Sequence, residues 1–449
     1  MTDDFRFDWR DRESTLRFLE HILEKTPGAH TELTLEGSES SLTRFANSRI
    51  HQNVNESDCR LSIRSIRDGR IGNARTNRFD KESLGQALEW AGSVARVGRI
   101  LAEPSDLLGP QTYSSVRNHV RSTANLSARE RAKMASDLIK ECASQGAGAA
   151  GAVSNSEGVL AIANSRGLRA YHALTDANFT ATVSADSSTG WCDCYSVDAS
   201  TLNAEMMGRR ALERALGGRN PQQIEPGRYT IILEEAAVKD LLDFLSWLGF
   251  GAQAFHEGRS FMCEKIGERI TGNNITIADD ALDPRGAGTP FDYEGMPKER
   301  VVLIEKGVAR SVVYDRTYAA RAGKSSTGHA LPREFTYGPL PLNLTMDPGE
   351  STAAQMLRSV KRGLLITRFW YVRVVDPAKT LVTGQTRDGT FLIEDGTVVC
   401  GVRDMRFNEN ILEAFSRAEM ISQEAQRIGS SIVPAMKLVD FRFTEPIGE

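Results

Sequence analysis

Apolar positions fall at helical spacing over residues 11–25, where Leu16, Leu19, Ile22 and Leu23 share a face. They do so again over 127–143, through Ala132, Ala135, Leu138, Ile139 and Cys142. Ser127 followed by Glu130 has the pattern of a capping box at the start of the second helix. Each helix precedes the same tetrapeptide: Ala46-Asn47-Ser48-Arg49 recurs 117 residues further on as Ala163-Asn164-Ser165-Arg166. Strand-like runs follow at 60–65 and 179–183. Asp80 and Asp198 then stand where N-caps of further helices belong. Residues ~8–97 and ~125–216 therefore read as two copies of helix, strands, helix.

The pattern changes after the breaker cluster Gly217-Gly218-Arg219-Asn220-Pro221. A strand at 228–233 leads into a long apolar helix through Val238, Leu241, Leu242, Leu245 and Leu248 that closes at Gly249. Beyond it, strands are expected at 275–277, 300–304, 308–314, 364–375, 390–394 and 397–402. Turns such as Glu305-Lys306-Gly307 and Glu394-Asp395-Gly396 separate them. Residues 410–426 read as a helix and 435–443 as a last strand. The expected fold is α+β: an N-terminal α/β domain (1–220) carrying the repeat, and a C-terminal β-rich, barrel-like domain (225–449).

Composition narrows the function classes. Across 449 residues, 55 Lys and Arg stand against 59 Asp and Glu, a net charge of -4. That balance argues against direct nucleic-acid binding by bulk charge. No run of about 18 apolar residues would span a membrane. The segment MTDDFRFDWRDRE lacks the apolar core of a signal peptide. Six cysteines are sparse and read as reduced thiols, so a cytoplasmic location is expected.

Several motifs invite chemistry. Gly146-Ala147-Gly148-Ala149-Ala150-Gly151 matches a dinucleotide-loop spacing but follows a helix and precedes a strand, the reverse of the required context. Gly249-Phe250-Gly251 also follows a helix. Cys192-Asp193-Cys194 puts two thiols on one strand face with no second ligand pair nearby in sequence, and reads as packing. Of seven histidines, His256 alone adjoins a useful carboxylate, Glu257. A His–Glu pair can hold zinc and activate its water, but a working site needs about three protein ligands. No second His follows, and Cys263 would lie ~10 Å along a helix.

Other segments carry a resemblance. These are Gly288-Thr289-Pro290-Phe291-Asp292-Tyr293-Glu294-Gly295, Tyr314-Asp315-Arg316-Thr317-Tyr318-Ala319-Ala320-Arg321 with Ser326-Thr327-Gly328, and Gly384-Gln385-Thr386-Arg387-Asp388-Gly389. Val402-Arg403-Asp404-Met405-Arg406-Phe407-Asn408-Glu409 and Val433-Pro434-Ala435-Met436-Lys437 belong with them. Through them the chain resembles, nearly end to end, the TldD/PmbA family, whose PmbA-like members are also called TldE. The resemblance implies a cytoplasmic heterodimer that cleaves unfolded peptides, in which the TldD-like subunit bears HExxxH and a late Cys as its zinc site.

Phe261 stands where that motif has its second His, and 433–437 contains no Cys. On this resemblance the chain falls on the TldE side. It is expected to bear no metal or catalytic residue of its own, with His256 and Glu257 as vestigial candidates, and to hold no cofactor. Zinc is expected in a TldD-like partner. Two alternatives stand beside this reading: a self-sufficient metallopeptidase with unusual ligands, and a protein-binding modulator, as the family's association with DNA gyrase suggests.

Overall fold

A computed structural model describes residues 7–26, 30–98, 100 and 106–446. In the first half, α1 (Arg12–Glu24) precedes the antiparallel strands β1 (His30–Ala46), β2 (Arg49–Arg67) and β3 (Arg70–Thr76), and α2 (Lys81–Val97) closes the unit. After a short α3 (Arg121–Ala124) the order repeats: α4 (Ala128–Ser144), β4 (Gly148–Asn164), β5 (Arg169–Ala185), β6 (Ser188–Ser196) and α5 (Ala204–Gly217). Asp11, Asp80 and Ser127 cap α1, α2 and α4, and Ser127 with Glu130 completes a capping box.

The two units merge into one six-stranded sheet, β3-β2-β1-β4-β5-β6, through antiparallel pairing of β1 with β4 from Glu32↔Asn164 to Phe45↔Gly151. One sheet face is apolar. Leu33, Leu35, Leu61 and Ile63 meet Phe18, Leu19 and Leu84 there, while Val153, Phe179 and Val183 meet Leu138, Met207 and Leu212. Cys192 and Cys194 pack in this layer, and the six cysteines are free thiols.

Gly72 on β3 and Gly190 on β6 occupy matching places. A Cβ on Gly72 would sit 2.0 Å from the Ala91 carbonyl of α2, and one on Gly190 2.0 Å from the Ala211 carbonyl of α5. Each outer helix thus lies directly on its strand, as a side chain at that point would not allow. The two ANSR copies end equivalent strands but turn differently. Asn47 and Ser48, both left-handed, make a tight two-residue hairpin. Asn164 instead accepts the N–H groups of Arg166 (2.9 Å) and Leu168 (3.2 Å) in a longer loop. The helix expected after Asp198 also differs: Asp198 caps only a three-residue 3-10 turn, and α5 starts six residues later.

In the second half, β7 (Gly227–Leu233) and α6 (Glu235–Gly249) are followed by α7 (Ala252–His256), β8 (Ile277–Asp279), β9 (Val301–Glu305), β10 (Val308–Ala309), α8 (Arg316–Ala322), β11 (Leu344–Met346) and α9 (Ala353–Arg358). Then come β12 (Arg362–Asp376), β13 (Leu381–Glu394), β14 (Thr397–Gly401), β15 (Met405–Asn410), α10 (Ile411–Ser416), β16 (Ala418–Ile428) and β17 (Ser431–Pro446). The expected helix over 410–426 is confined to α10. The rest is β16, paired antiparallel with β17. Strand pairing runs β17-β15-β13-β12-β7, and β7 pairs back with β17, which closes a five-stranded ring. Phe369, Phe407, Phe441 and Phe443 cluster among its side chains, and Leu241, Leu242 and Leu245 of α6 join the same core. No helix of the described residues is long and apolar enough to cross a membrane.

The halves are pinned together by charge and by one ring. Arg210 and Arg214 of α5 both pair with Glu234. Arg368 donates to Asp388, which also accepts from Thr189 at 2.7 Å. Phe291 inserts against Leu160, Ile162, Leu168 and Ala170 on the sheet face away from the helices. Gly72→Val and Gly190→Val should each cost about 1–3 kcal/mol or more by forcing helix from strand. Denaturant midpoints should show losses of similar size in both; an effect at one site alone would break the equivalence of the units.

Candidate functional site

The carbonyl and N–H of α6's capping residue Phe250 and of Ala252 interlock with Val313, with Ala252 N–H to Val313 O at 3.0 Å and Val313 N–H to Phe250 O at 2.9 Å. This fixes α7 beside the chain entering α8. His256 ends α7, exposed to solvent. Its ring stacks on Tyr318 (centroids 6.2 Å) and meets Tyr314 edge-on (6.0 Å). Arg321 lies over the Tyr318 ring and Lys324 over the Tyr314 ring. The neighbourhood of His256 is therefore aromatic and cationic.

Glu257 does not face His256's aromatic partners as a free base. It accepts from Arg259 Nε at 2.9 Å and from Gln253 at 3.1 Å, and these bonds, Arg259's first, hold its carboxyl below the usual range. Phe261 turns the other way. It is 3% exposed, edge-on to Phe250 at 5.4 Å, and so close to Gly249 that a Cβ there would lie 2.3 Å from its ring. Cys263 donates to the Phe255 carbonyl at 3.2 Å. The donor set at His256 does not fit zinc: one imidazole stands alone, its neighbouring carboxylate is bound to a guanidinium, and the next position belongs to the core. Among the described residues no group of three or more His, Cys, Asp or Glu is arranged to hold a metal ion.

The structure joins residues that sequence adjacency could not. His329 Nε2 lies 2.8 Å from Asp279, fifty positions earlier, and His329 Nδ1 lies 2.9 Å from Thr327 Oγ1. This has the outline of a nucleophile, base and orienter. Both His329 and Asp279 side chains are wholly buried, and Thr327 is already tied to the Tyr314 backbone. Burial pushes Asp279 up, but His329, Lys298 and the Asn343 N–H more than offset it and hold the carboxyl below its ordinary range. The array is a strut closed to substrate. The only local signal was His329 itself, in Ser326-Thr327-Gly328-His329.

The glycine runs are structural. Gly148 and Gly151 lie within β4, where a Cβ on Gly151 would meet the Thr180 carbonyl at 2.2 Å. A Cβ on Gly251 would lie 2.3 Å from the Pro339 carbonyl. A cavity of about 530 Å³ lies where Ser187, Thr189 and Asn220 meet Asp388, Gly389 and Asp404. Burial pushes Asp404 up to about 6, against hydrogen bonds from Thr386 and Thr390.

Comparison with known proteins fits this architecture. Family models described as PmbA/TldA metallopeptidase domain 1, central domain and C-terminal domain match residues 31–95, 121–219 and 226–445. The chain belongs to the PmbA/TldD metallopeptidase-related family. An uncharacterised protein of Methanocaldococcus jannaschii is 27% identical over 390 residues, covering 84% of this chain and 87% of that one. A metalloprotease of Methanothermobacter thermautotrophicus is 25% identical over 226 residues, 49% of this chain and 48% of its own length. The crystal structure of TldE from Thermococcus kodakarensis superposes with a TM-score of 0.85 at 22% identity, over 96% of this chain and 99% of that one, and so shares the fold.

Two outcomes follow from the geometry. Elemental analysis of the dialysed chain should find no stoichiometric zinc. Phe261→His should gain none while losing about 2–4 kcal/mol of stability, because the imidazole would replace a core ring. Zinc at unit stoichiometry in either protein would contradict the reading of these side chains. For Asp404, a folded pKa raised above the unfolded value means stability falls as pH rises from about 4 through about 6. Asp404→Asn should therefore be the more stable form at pH 7, with the gap closing toward pH 4 in parallel denaturation curves.

Proposed function

We propose that this chain is the non-catalytic, TldE-like subunit of a two-subunit zinc metallopeptidase acting on unfolded peptides. The zinc-bearing site belongs to a TldD-like partner in the cytoplasm. In this reading residues 1–220 and 225–449 are two units that together shape one wall of a chamber. The observation that carries the proposal is the divergence at the turn after α7: His256 faces solvent alone, Glu257 is held by Arg259, and Phe261 is buried. A zinc-activated water needs ligands and a free base at one point, and these three side chains point apart.

A surface for the partner lies beside this turn. Segment 335–342 runs along the end of α6, where Ser246 donates to the Pro341 carbonyl at 3.2 Å, and Gly338 packs on Gln253 and Tyr318. It leaves Trp247, Phe335, Tyr337 and Leu342 between 45% and 56% exposed. Aromatic side chains this open are enriched where proteins meet. Single-sided edges such as β14, with Val398 and Val399 exposed, offer main-chain pairing to an extended peptide.

The chain alone should leave unfolded peptides intact, and mixed with a TldD-like subunit bearing HExxxH it should form a complex that cleaves them. Substituting the partner's glutamate should abolish cleavage, because the general base lies there. Glu257→Gln in this chain should leave most of it. Loss of cleavage with Glu257→Gln, in a complex of normal assembly, would move the catalytic base into this chain and overturn the proposal.

A further inference from the structure

The face of the six-stranded sheet turned away from the helices differs between its two halves. At one end of the second unit it is apolar, where Leu160, Ile162 and Ala170 are sealed by Phe291, and further along it carries Asp176, Asn178 and Asp193. In the first unit the same face carries Glu32, Thr34 and Glu36 on β1, Ser62 and Arg64 on β2, and Asn73 and Arg75 on β3. The register sets Glu32 opposite Arg64 and Ser62 opposite Arg75. These side chains line a cavity of about 390 Å³, roofed by Tyr293 and by Pro332, Arg333 and Glu334. That volume suits a small ligand.

The charges inside are unevenly satisfied. Arg333 donates to Glu32 at 2.6 Å, and Arg75 pairs with Glu334 at 3.0 Å. Arg64 is 8% exposed, yet its nearest carboxylate oxygen, on the same Glu32, is 3.6 Å away, and its buried Nε has no acceptor. Glu36 is likewise held only at long range, by Tyr293 Oη at 3.4 Å and Arg60 at 3.5 Å. Burial and the neighbouring Arg333 lower Arg64 to about 10, which leaves it charged at neutral pH. A buried guanidinium without an acceptor is costly, and a planar carboxylate matches its fork.

The lining holds three carboxylates, Glu32, Glu36 and Glu334, against the guanidiniums of Arg64, Arg75 and Arg333. The lining is thus charge-balanced: a dianionic phosphate finds no net attraction there, whereas a zwitterion presents one charge of each sign. We propose that this cavity binds an α-amino carboxylate, either a free amino acid or a peptide of two or three residues. Its carboxylate sits on Arg64 and its ammonium group is directed to Glu36. The proposal does not depend on which subunit of a peptidase bears the metal.

The test is calorimetric titration of the full chain with the free amino acids and with di- and tri-alanine, beside tri-alanine amide, acetate and inorganic phosphate. At least one zwitterion should bind, with amidation of its carboxylate weakening it by about tenfold or more. Arg64→Met should abolish binding while keeping or raising the thermal midpoint, since it removes a buried charge held only by a long pair to Glu32 and leaves Glu32 paired with Arg333. Asn73→Trp, at the exposed rim, should block binding by filling the cavity. The proposal fails if no zwitterion binds at millimolar concentration, if the amide or phosphate binds as well as the acid, or if both variants still bind. It fails also if Arg64→Met lowers the midpoint by several degrees, which would make Arg64 a structural residue.

Discussion

The antiparallel seam between β1 and β4 is the constraint on which the rest of the molecule depends. Each unit alone would be a three-stranded sheet with helices on one face and an open edge at its first strand, exposing unpaired N–H and C=O groups. Joining the two at that edge, over Glu32↔Asn164 to Phe45↔Gly151, removes both liabilities at once. It also forces all four long helices onto one face, because the odd-numbered positions of both seam strands, Leu33 and Leu35 with Val153 and Ala161, point the same way. The opposite face is then too broad to leave bare, and the C-terminal half must cover it.

That cover is made in two manners. Phe291, from Gly288-Thr289-Pro290-Phe291, closes the Leu160 and Ile162 end of the second unit with aromatic and aliphatic contacts, while Arg427 reaches Asp176 further along the same face. The half supplied by the first unit meets Arg333 and Glu334 instead, and its strands answer with alternating Glu and Arg across the register. An apolar seal excludes ligands. A charged one, imperfectly paired, keeps a space whose polar groups prefer a partner.

Local features were legible in the sequence because their causes are local. The Ser127–Glu130 box, the Asp80 cap and the apolar stripe of α6 each involve residues within a few positions of one another, and the ANSR repeat is legible because each copy is a contiguous tetrapeptide. What was misread has a long-range cause. Residues 418–428 contain Met420 and Ile421 among Glu and Gln, a mixture any short helix could carry; they are a strand because β17 supplies a partner. Gly72 and Gly190 have no shared neighbours in sequence, and only the approach of α2 and α5 shows their equivalence. His329 finds Asp279 across fifty residues, and Arg64 becomes buried only when residue 333 arrives from the other half.

Two of the family-like segments, 288–295 and 314–328, lie around the buried polar array of Asp279 and His329. Asp292 accepts the N–H groups of Glu294, Met296 and Ala330, the last at 2.8 Å. Thr327 receives the Tyr314 N–H at 2.8 Å, and Asp279 receives the Asn343 N–H at 2.7 Å beside its bond to His329. Some of these bonds close a loop on itself, as Asp292 does with Glu294 and Met296, and others tie separate segments, as Asp292 does with Ala330 and Asp279 with Asn343. Removing any one acceptor would leave a buried N–H unpaired, at about 1–3 kcal/mol. At the turn after α7, by contrast, His256, Glu257 and Arg259 are exposed, and the Glu257 carboxylate takes side-chain donors from Arg259 and Gln253 rather than the backbone of another loop.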